Sequence, residues 1–189
     1  MRTFSQPTSA GAAYSENVKL GIISDTHGLL RPEVAPALKG VDRILHLGDV
    51  GKASILTELA KIAPVTAIRG NVDIDGPCAR LPETDVVLIE NPPHGSLYIY
   101  MLHDLKTLHL DPAAAKFAAV LHGHTHVPNY VTKKRVLYFN PGSCGPRRFE
   151  LPVTIGLLTI ESDGHLKPRI VHLRIASIDL PSCRLRCGR

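Results

Sequence analysis

The residues with the most chemistry in this sequence recur just after short apolar runs. Asp25-Thr26-His27 follows Ile22-Ile23-Ser24, Gly48-Asp49 follows Ile44-Leu45-His46-Leu47, and Gly70-Asn71 follows Ala67-Ile68-Arg69. His103 follows Ile99-Tyr100-Met101-Leu102, and Gly123-His124-Thr125-His126 follows Ala119-Val120-Leu121-His122. Carboxylate, amide oxygen and imidazole together are a ligand set for divalent transition ions, and they argue against Ca²⁺. A single histidine after a strand is ordinarily a structural or surface residue, but all five pieces in one chain read as a metal site. Asp25, His27, Asp49, Asn71, His103, His124 and His126 offer more nitrogen and oxygen ligands than one tetrahedral zinc needs. They suit two ions roughly 3.5–4 Å apart with a carboxylate shared between them.

Such residues meet only if the strands that carry them end on one rim, where ligands bind in open α/β sheets. Residues 18–24, 43–47 and 65–69 are rich in Val, Ile and Leu, as strands buried on both faces require. Between them, 32–39 and 52–62 have helical character, the second with Ile55, Leu56, Leu59 and Ile62 on one face. Pro32 suits a first helical turn and Pro64 a stop. Strand–helix alternation of this kind predicts a parallel sheet.

The second half predicts strands over 86–90 and 97–103 joined by a hairpin-like 91–95, a short helix over 112–117, and a strand over 118–121. Further strands are expected over 129–132, 135–140, 154–160 and 166–174, with turns at Lys133-Lys134 and Ser162-Asp163-Gly164. The expected fold class is α/β: a two-sheet mixed β-sandwich flanked by helices, four layers in all.

The chain has 189 residues, 44% of them apolar and 21% charged, with a formal net charge of +5. That length suits one domain, expected over 18–176, with a flexible arm at 1–17 and a basic tail at 177–189. The mixed charges exclude a disordered chain. No apolar run approaches the ~20 residues of a membrane span, and the first 17 residues lack the apolar core of a secretory signal. A cytoplasmic protein is therefore expected, with free thiols. Cys78 and Cys144 stand alone, and Cys183 with Cys187 lacks the second pair of a zinc ribbon. Part of the excess charge is Arg184, Arg186 and Arg189 in the tail, and the chain has no Trp, so a nucleic-acid stacking platform is not expected.

Through these five motifs the sequence resembles the calcineurin-like metallophosphoesterase superfamily. Its small size, Arg69-Gly70-Asn71-Val72-Asp73 and Asn140-Pro141-Gly142-Ser143 are similar to the compact YfcE-type phosphodiesterases, a resemblance that covers residues 20–174. The resemblance implies that Asp25, His27 and His126 hold a first ion, that Asp49 bridges, and that Asn71, His103 and His124 complete a second. It implies Mn²⁺ foremost, with Zn²⁺, Fe, Ni²⁺ or Co²⁺ as alternatives. It further implies hydrolysis of a small phosphodiester by a hydroxide bridging the ions, with Asp49, Asn71 and His103 acting through it, and a dimeric or tetrameric assembly. The rival implication is a protein-binding scaffold, since the retromer subunit shares the fold; its ligand set is incomplete, whereas all seven positions are filled here.

Two departures from the family pattern stand out. Val72 replaces the histidine that larger members place after Gly-Asn to protonate the leaving oxygen. Asp104 follows His103 where the small subfamily has glycine, so it is either a surface carboxylate, a substitute acid, or an orienting partner for His103. Among the other residues, His46 and His122 are expected in the core and His94, His109, His165 and His172 on the surface. Cys144 is expected as buried filler. Asp73 serves a turn or a bond near the site, Arg69 an ion pair or a phosphate, and Arg147 and Arg148 a solvated face or an anionic substrate.

Overall fold

The structure, a computed structural model, describes residues 17–91 and 95–174. The expected arm (apart from Asn17), the tail with Cys183 and Cys187, and His94 lie outside the described residues. The first half contains β1 (Val18–Ile23), α1 (Val34–Ala37), β2 (Arg43–His46), α2 (Ser54–Leu59) and β3 (Val65–Ala67). The second contains β4 (Thr84–Asn91), β5 (Gly95–Leu102), β6 (Ala119–Leu121), β7 (Asn129–Lys133), β8 (Val136–Asn140), β9 (Thr154–Ile160) and β10 (Leu166–His172).

These strands form two mixed five-stranded sheets, ordered β10-β9-β1-β2-β3 and β4-β5-β6-β8-β7. In the first, β1, β2 and β3 run parallel, with β9 and β10 added antiparallel. In the second, β5, β6 and β8 run parallel between antiparallel β4 and β7. Side chains alternate across a strand, so Leu20 and Ile22 of β1 face the second sheet while Ile23 faces the helices. Ile99 and Met101 of β5 and Leu137 and Phe139 of β8 complete the space between the sheets. Phe139 is fully buried there, and truncating such a ring typically costs ~3–5 kcal/mol.

Outside the first sheet, Val34, Leu38, Ile55 and Leu59 cover Ile23, Ile44 and Ile155, with Cys144 buried among them. The helices are shorter than their sequences suggest. Pro36 sits inside the α1 segment, where a missing amide limits propagation, and α2 closes in tight turns, with Ile62 N–H on the Leu59 carbonyl. Residues 112–117 are turns instead of a helix; Asp111 Oδ1 accepts from Ala113 N at 3.0 Å. The layer outside the second sheet is therefore thin: Leu105, Leu108 and Ala113 pack on Leu102, Val120 and Val136. Loops after β1, β2, β3, β5 and β6 gather on one rim.

Candidate metal centre

The rim is stitched together by backbone bonds between loops. Asp25 N–H donates to the Gly48 carbonyl at 3.1 Å and His27 N–H to the Asp49 carbonyl at 2.9 Å, joining the loops after β1 and β2. Gly123 N–H donates to the His103 carbonyl at 2.9 Å, joining those after β5 and β6. Five of the seven candidate ligands turn sharply there: Asp25, His27, Asp49, His124 and His126 all have φ between 46° and 69°. Non-glycine residues in this region carry strain that surrounding structure must hold. Close approach explains Gly70, because a Cβ there would lie 2.2 Å from Asp49 Oδ1 and 2.4 Å from Asp49 N.

All seven candidate ligands come to this rim, in two adjoining groups. In the first, His27 Nε2 and His126 Nε2 face one another at 3.3 Å, and Asp25 Oδ1 lies 3.8 Å from the former and 3.2 Å from the latter. In the second, Asn71 Oδ1 lies 3.2 Å from His103 Nε2 and 2.9 Å from His124 Nδ1. Asp49 Oδ2 stands between the groups, 3.7 Å from His27 Nε2 and 3.4 Å from His103 Nε2. Asp25, His27 and His126 present ligand atoms within 4.8 Å of one another, as do Asp25, Asp49 and His103.

Asp25 Oδ1 is buried with no hydrogen-bond partner among the described residues. Leaving such a group unpaired costs ~1–3 kcal/mol or more. A cation among these converging lone pairs would remove that cost, so the donors fit divalent ions.

Protonation favours the same reading. Burial would raise the pKa of Asp25, but His126 at 3.2 Å and the charge of His103 outweigh it and hold the carboxyl below its usual range. Burial pushes Asp49 up too, and His103 with the Val72 amide pulls it below the usual value. For His27, burial dominates over the pull of Asp49 and Asp25, so its pKa is lowered and the ring is held neutral. Burial would also lower His103, but Asp49 overrides it and the pKa is raised. A metal requires deprotonated carboxylates and neutral imidazoles, so Asp25, Asp49 and His27 are already poised for one, whereas His103 must first give up the proton that Asp49 favours.

Support for the ligands comes from residues that only the folded chain brings near. His103 Nδ1 contacts the Leu47 carbonyl at 2.7 Å, which fixes the ring and aims Nε2 at the rim. Orienting His103 is thus the work of a backbone carbonyl, not of Asp104. Asp104 Oδ2 instead lies 3.8 Å from His124 Nε2, and its Oδ1 accepts from Lys106 N at 3.0 Å, capping the short turn Leu105–Thr107.

Asp73, almost fully buried, accepts from Val50 N at 3.0 Å, Gly51 N at 2.8 Å and Gly70 N at 2.9 Å. It clamps the loops that carry Asp49 and Asn71. Asn140 does the same for the last motif, donating to the Gly123 carbonyl at 2.8 Å and to Thr125 Oγ1 at 3.0 Å.

The remaining candidates separate cleanly. His46 is a buried core histidine held by Thr26 Oγ1 at 2.9 Å, with burial pushing its pKa down to about 4. His122 is only half-buried. Arg69 pairs with Glu83. Arg147 donates to the Leu151 carbonyl, whereas Arg148 reaches the rim, its Nη2 3.2 Å from His27 Nε2. Val72 contributes its amide to Asp49 Oδ1 at 2.9 Å and leaves its side chain partly exposed.

The sandwich and its paired His/Asp groups define a binuclear metal-dependent phosphoester hydrolase. Residues 18–163 match the calcineurin-like phosphoesterase superfamily domain. A probable metallophosphoesterase of Methanothermobacter thermautotrophicus is 36% identical over 137 residues, covering 66% of this chain and 76% of that protein. Among solved structures, a novel archaeal phosphodiesterase superposes with a TM-score of 0.64 at 24% identity, over 82% of this chain and 100% of that one. The vacuolar protein sorting 29 structure of Cryptosporidium parvum also superposes with a TM-score of 0.64, at 18% identity, over 84% of this chain and 99% of that one. These two likenesses are likenesses of fold. The chain belongs to the calcineurin-like phosphoesterase superfamily. Among the described residues, no helix is long and apolar enough to cross a membrane.

Proposed function

We propose that this protein is a compact phosphodiesterase of the YfcE type, working with two divalent ions, Mn²⁺ foremost, on a small phosphodiester in the cytoplasm. The observation that carries the two-ion reading is the position of Asp49 Oδ2, 3.7 Å from His27 Nε2 and 3.4 Å from His103 Nε2. Asp25, His27 and His126 would hold one ion, Asn71, His103 and His124 the other, and Asp49 both. When bound, such ions acidify water and offset charge on phosphoryl oxygens. Asn71 supplies a neutral oxygen, so the site keeps a positive balance for an anionic ester. Arg148 is available to a phosphoryl oxygen from the His27 side. The diester preference draws on the likeness to an archaeal phosphodiesterase and on the small-subfamily motif Arg69-Gly70-Asn71-Val72-Asp73.

The test is to strip the protein with chelator, restore Mn²⁺, and assay bis(p-nitrophenyl) phosphate beside p-nitrophenyl phosphate. The expected result is metal-dependent cleavage, faster on the diester and abolished in Asp49→Asn. Faster monoester cleavage would refute the diesterase reading. Stoichiometric metal binding without turnover would point to a scaffold instead.

A further inference from the structure

A cavity of about 610 Å³ opens directly against the second group of donors, with Asn71, His103 and His124 in its inner wall. Its far side comes from the start of β4, from β5 and from the segment that follows it, through Thr84, Tyr100, Thr107 and Leu110. On the Val72 side of the rim the available space is smaller, about 280 Å³. Small-molecule sites typically span ~300–1,000 Å³. The larger cavity can therefore hold an ester arm of substantial size beside a phosphoryl group at the rim.

The lining says what kind of arm fits. Leu110 leaves 38% of its surface exposed and gives the cavity an apolar wall. Tyr100 adds an aromatic one, its ring fixed by stacking on Phe117 at 5.2 Å and 22°. Thr84, Thr107 and His109 offer hydrogen bonds at the margin. Glu83 takes up the Arg69 guanidinium, and Asp104 lies against His124, at 3.8 Å. Among the described residues, the wall away from the metal ligands thus offers no free lysine or arginine to a charged arm, and an apolar–aromatic wall rewards an uncharged one.

We infer that this cavity is the subsite for one uncharged ester arm, and that it selects diesters carrying a flat group of about nucleoside size. Small alkyl diesters leave it empty, and esters whose arm bears a further phosphate find no free lysine or arginine in its outer wall among the described residues. The inference rests on the diesterase reading of the metal centre, and it adds the substrate class.

The test measures binding, independent of turnover. Equilibrium dialysis of the Mn²⁺-loaded full chain would compare dimethyl phosphate, thymidine 5′-(methyl phosphate), and the same thymidine ester carrying a 3′-phosphate. The thymidine ester should bind at least about tenfold tighter than dimethyl phosphate, and the 3′-phosphate should weaken binding. Leu110→Trp, which fills the cavity from an exposed position, should erase the thymidine preference and leave dimethyl phosphate binding unchanged. Thr107→Trp should do the same from another position, which guards against a local misfold.

Equal affinities for the three probes, or a thymidine preference that survives both variants, would overturn the inference. Turnover of bis(p-nitrophenyl) phosphate by the same preparations tests the underlying reading separately. Its absence with the binding preference intact would remove the diesterase activity and keep the subsite.

Discussion

Asp73 offers the sharpest test of how the fold holds the centre, because it touches no proposed ion yet binds two ligand-bearing loops. Its carboxylate satisfies Val50, Gly51 and Gly70 amides at 2.8–3.0 Å. Val50 and Gly70 are buried, so their amides find no water when the acceptor is removed, whereas Gly51 is exposed. Each stranded buried amide costs ~1–3 kcal/mol, so Asp73→Ala should lose about 2–6 kcal/mol. That is a large part of the ~5–15 kcal/mol that holds a domain together. Asp73→Asn can set its one acceptor where Oδ2 takes the Val50 and Gly70 amides, which leaves its NH₂ against the exposed Gly51 N–H, and should lose about 1 kcal/mol.

The second consequence is for metal. With the clamp loosened, Asp49 and Asn71 no longer arrive prealigned, and ion binding must order them. Urea unfolding with chelator, and again with saturating Mn²⁺, separates the two effects, since the metal-dependent gain reports affinity for the folded state. In Asp73→Asn this gain should shrink by about 1.4 kcal/mol or more, a tenfold loss of affinity. An Asp73→Asn protein within about 0.5 kcal/mol of the parent in chelator, with the same gain from Mn²⁺, would refute the clamp.

Other perturbations follow from the same geometry. Gly70→Ala drives a Cβ to 2.2 Å from Asp49 Oδ1, so it should abolish Mn²⁺ binding in dialysis; a variant that still binds would contradict the placement of Asp49. In the metal-free protein His103 has a raised pKa because Asp49 favours its protonated form over the opposing effect of burial. Its contribution to stability is present below the unfolded value of ~6.5 and is lost as pH rises through the folded pKa. Metal must displace that proton, so Mn²⁺ affinity should climb as pH rises past the unfolded value of ~6.5 and climb less steeply in His103→Asn; parallel pH profiles would refute it. With Val72 in place of an acid, aryl diesters should outpace alkyl esters such as glycerol phosphate by about 10²–10⁴-fold in kcat/KM, the usual worth of general acid help. Comparable rates would contradict this.

The strands were legible because burial writes itself into composition. Residues 18–24, 43–47 and 154–160 were expected as strands and form β1, β2 and β9 within a residue of those bounds. Turn chemistry was readable to within a residue: the turn expected at Lys133-Lys134 falls on Lys134 and Arg135, at φ of 48° and 67°, and Gly164 turns between β9 and β10 as expected. The helical segments were less so, since Pro36 and the cap at Asp111 shorten or replace what apolar spacing suggests.

At the centre, the residues expected as ligands share one chemistry and one position relative to their strands, which is why they could be read. Their supports were less legible. The Leu47 carbonyl has no side-chain signature; Asp73 was open to either a turn or a bond near the site, and Asn140 stood at the end of an expected strand, so their partners show only when folding sets them against loops 17 to 23 positions away. Asp104 shows the same limit: its neighbour in sequence is His103, but its neighbour in space is His124.

On the proposed reading one carboxylate, Asp49, joins two adjacent ion sites. Anomalous scattering from Mn²⁺-soaked crystals would locate the ions. Two peaks roughly 3.5–4 Å apart are expected, one bounded by Asp25, His27 and His126, the other by Asn71, His103 and His124, with Asp49 touching both. A single peak, or two that do not share Asp49, would contradict that reading.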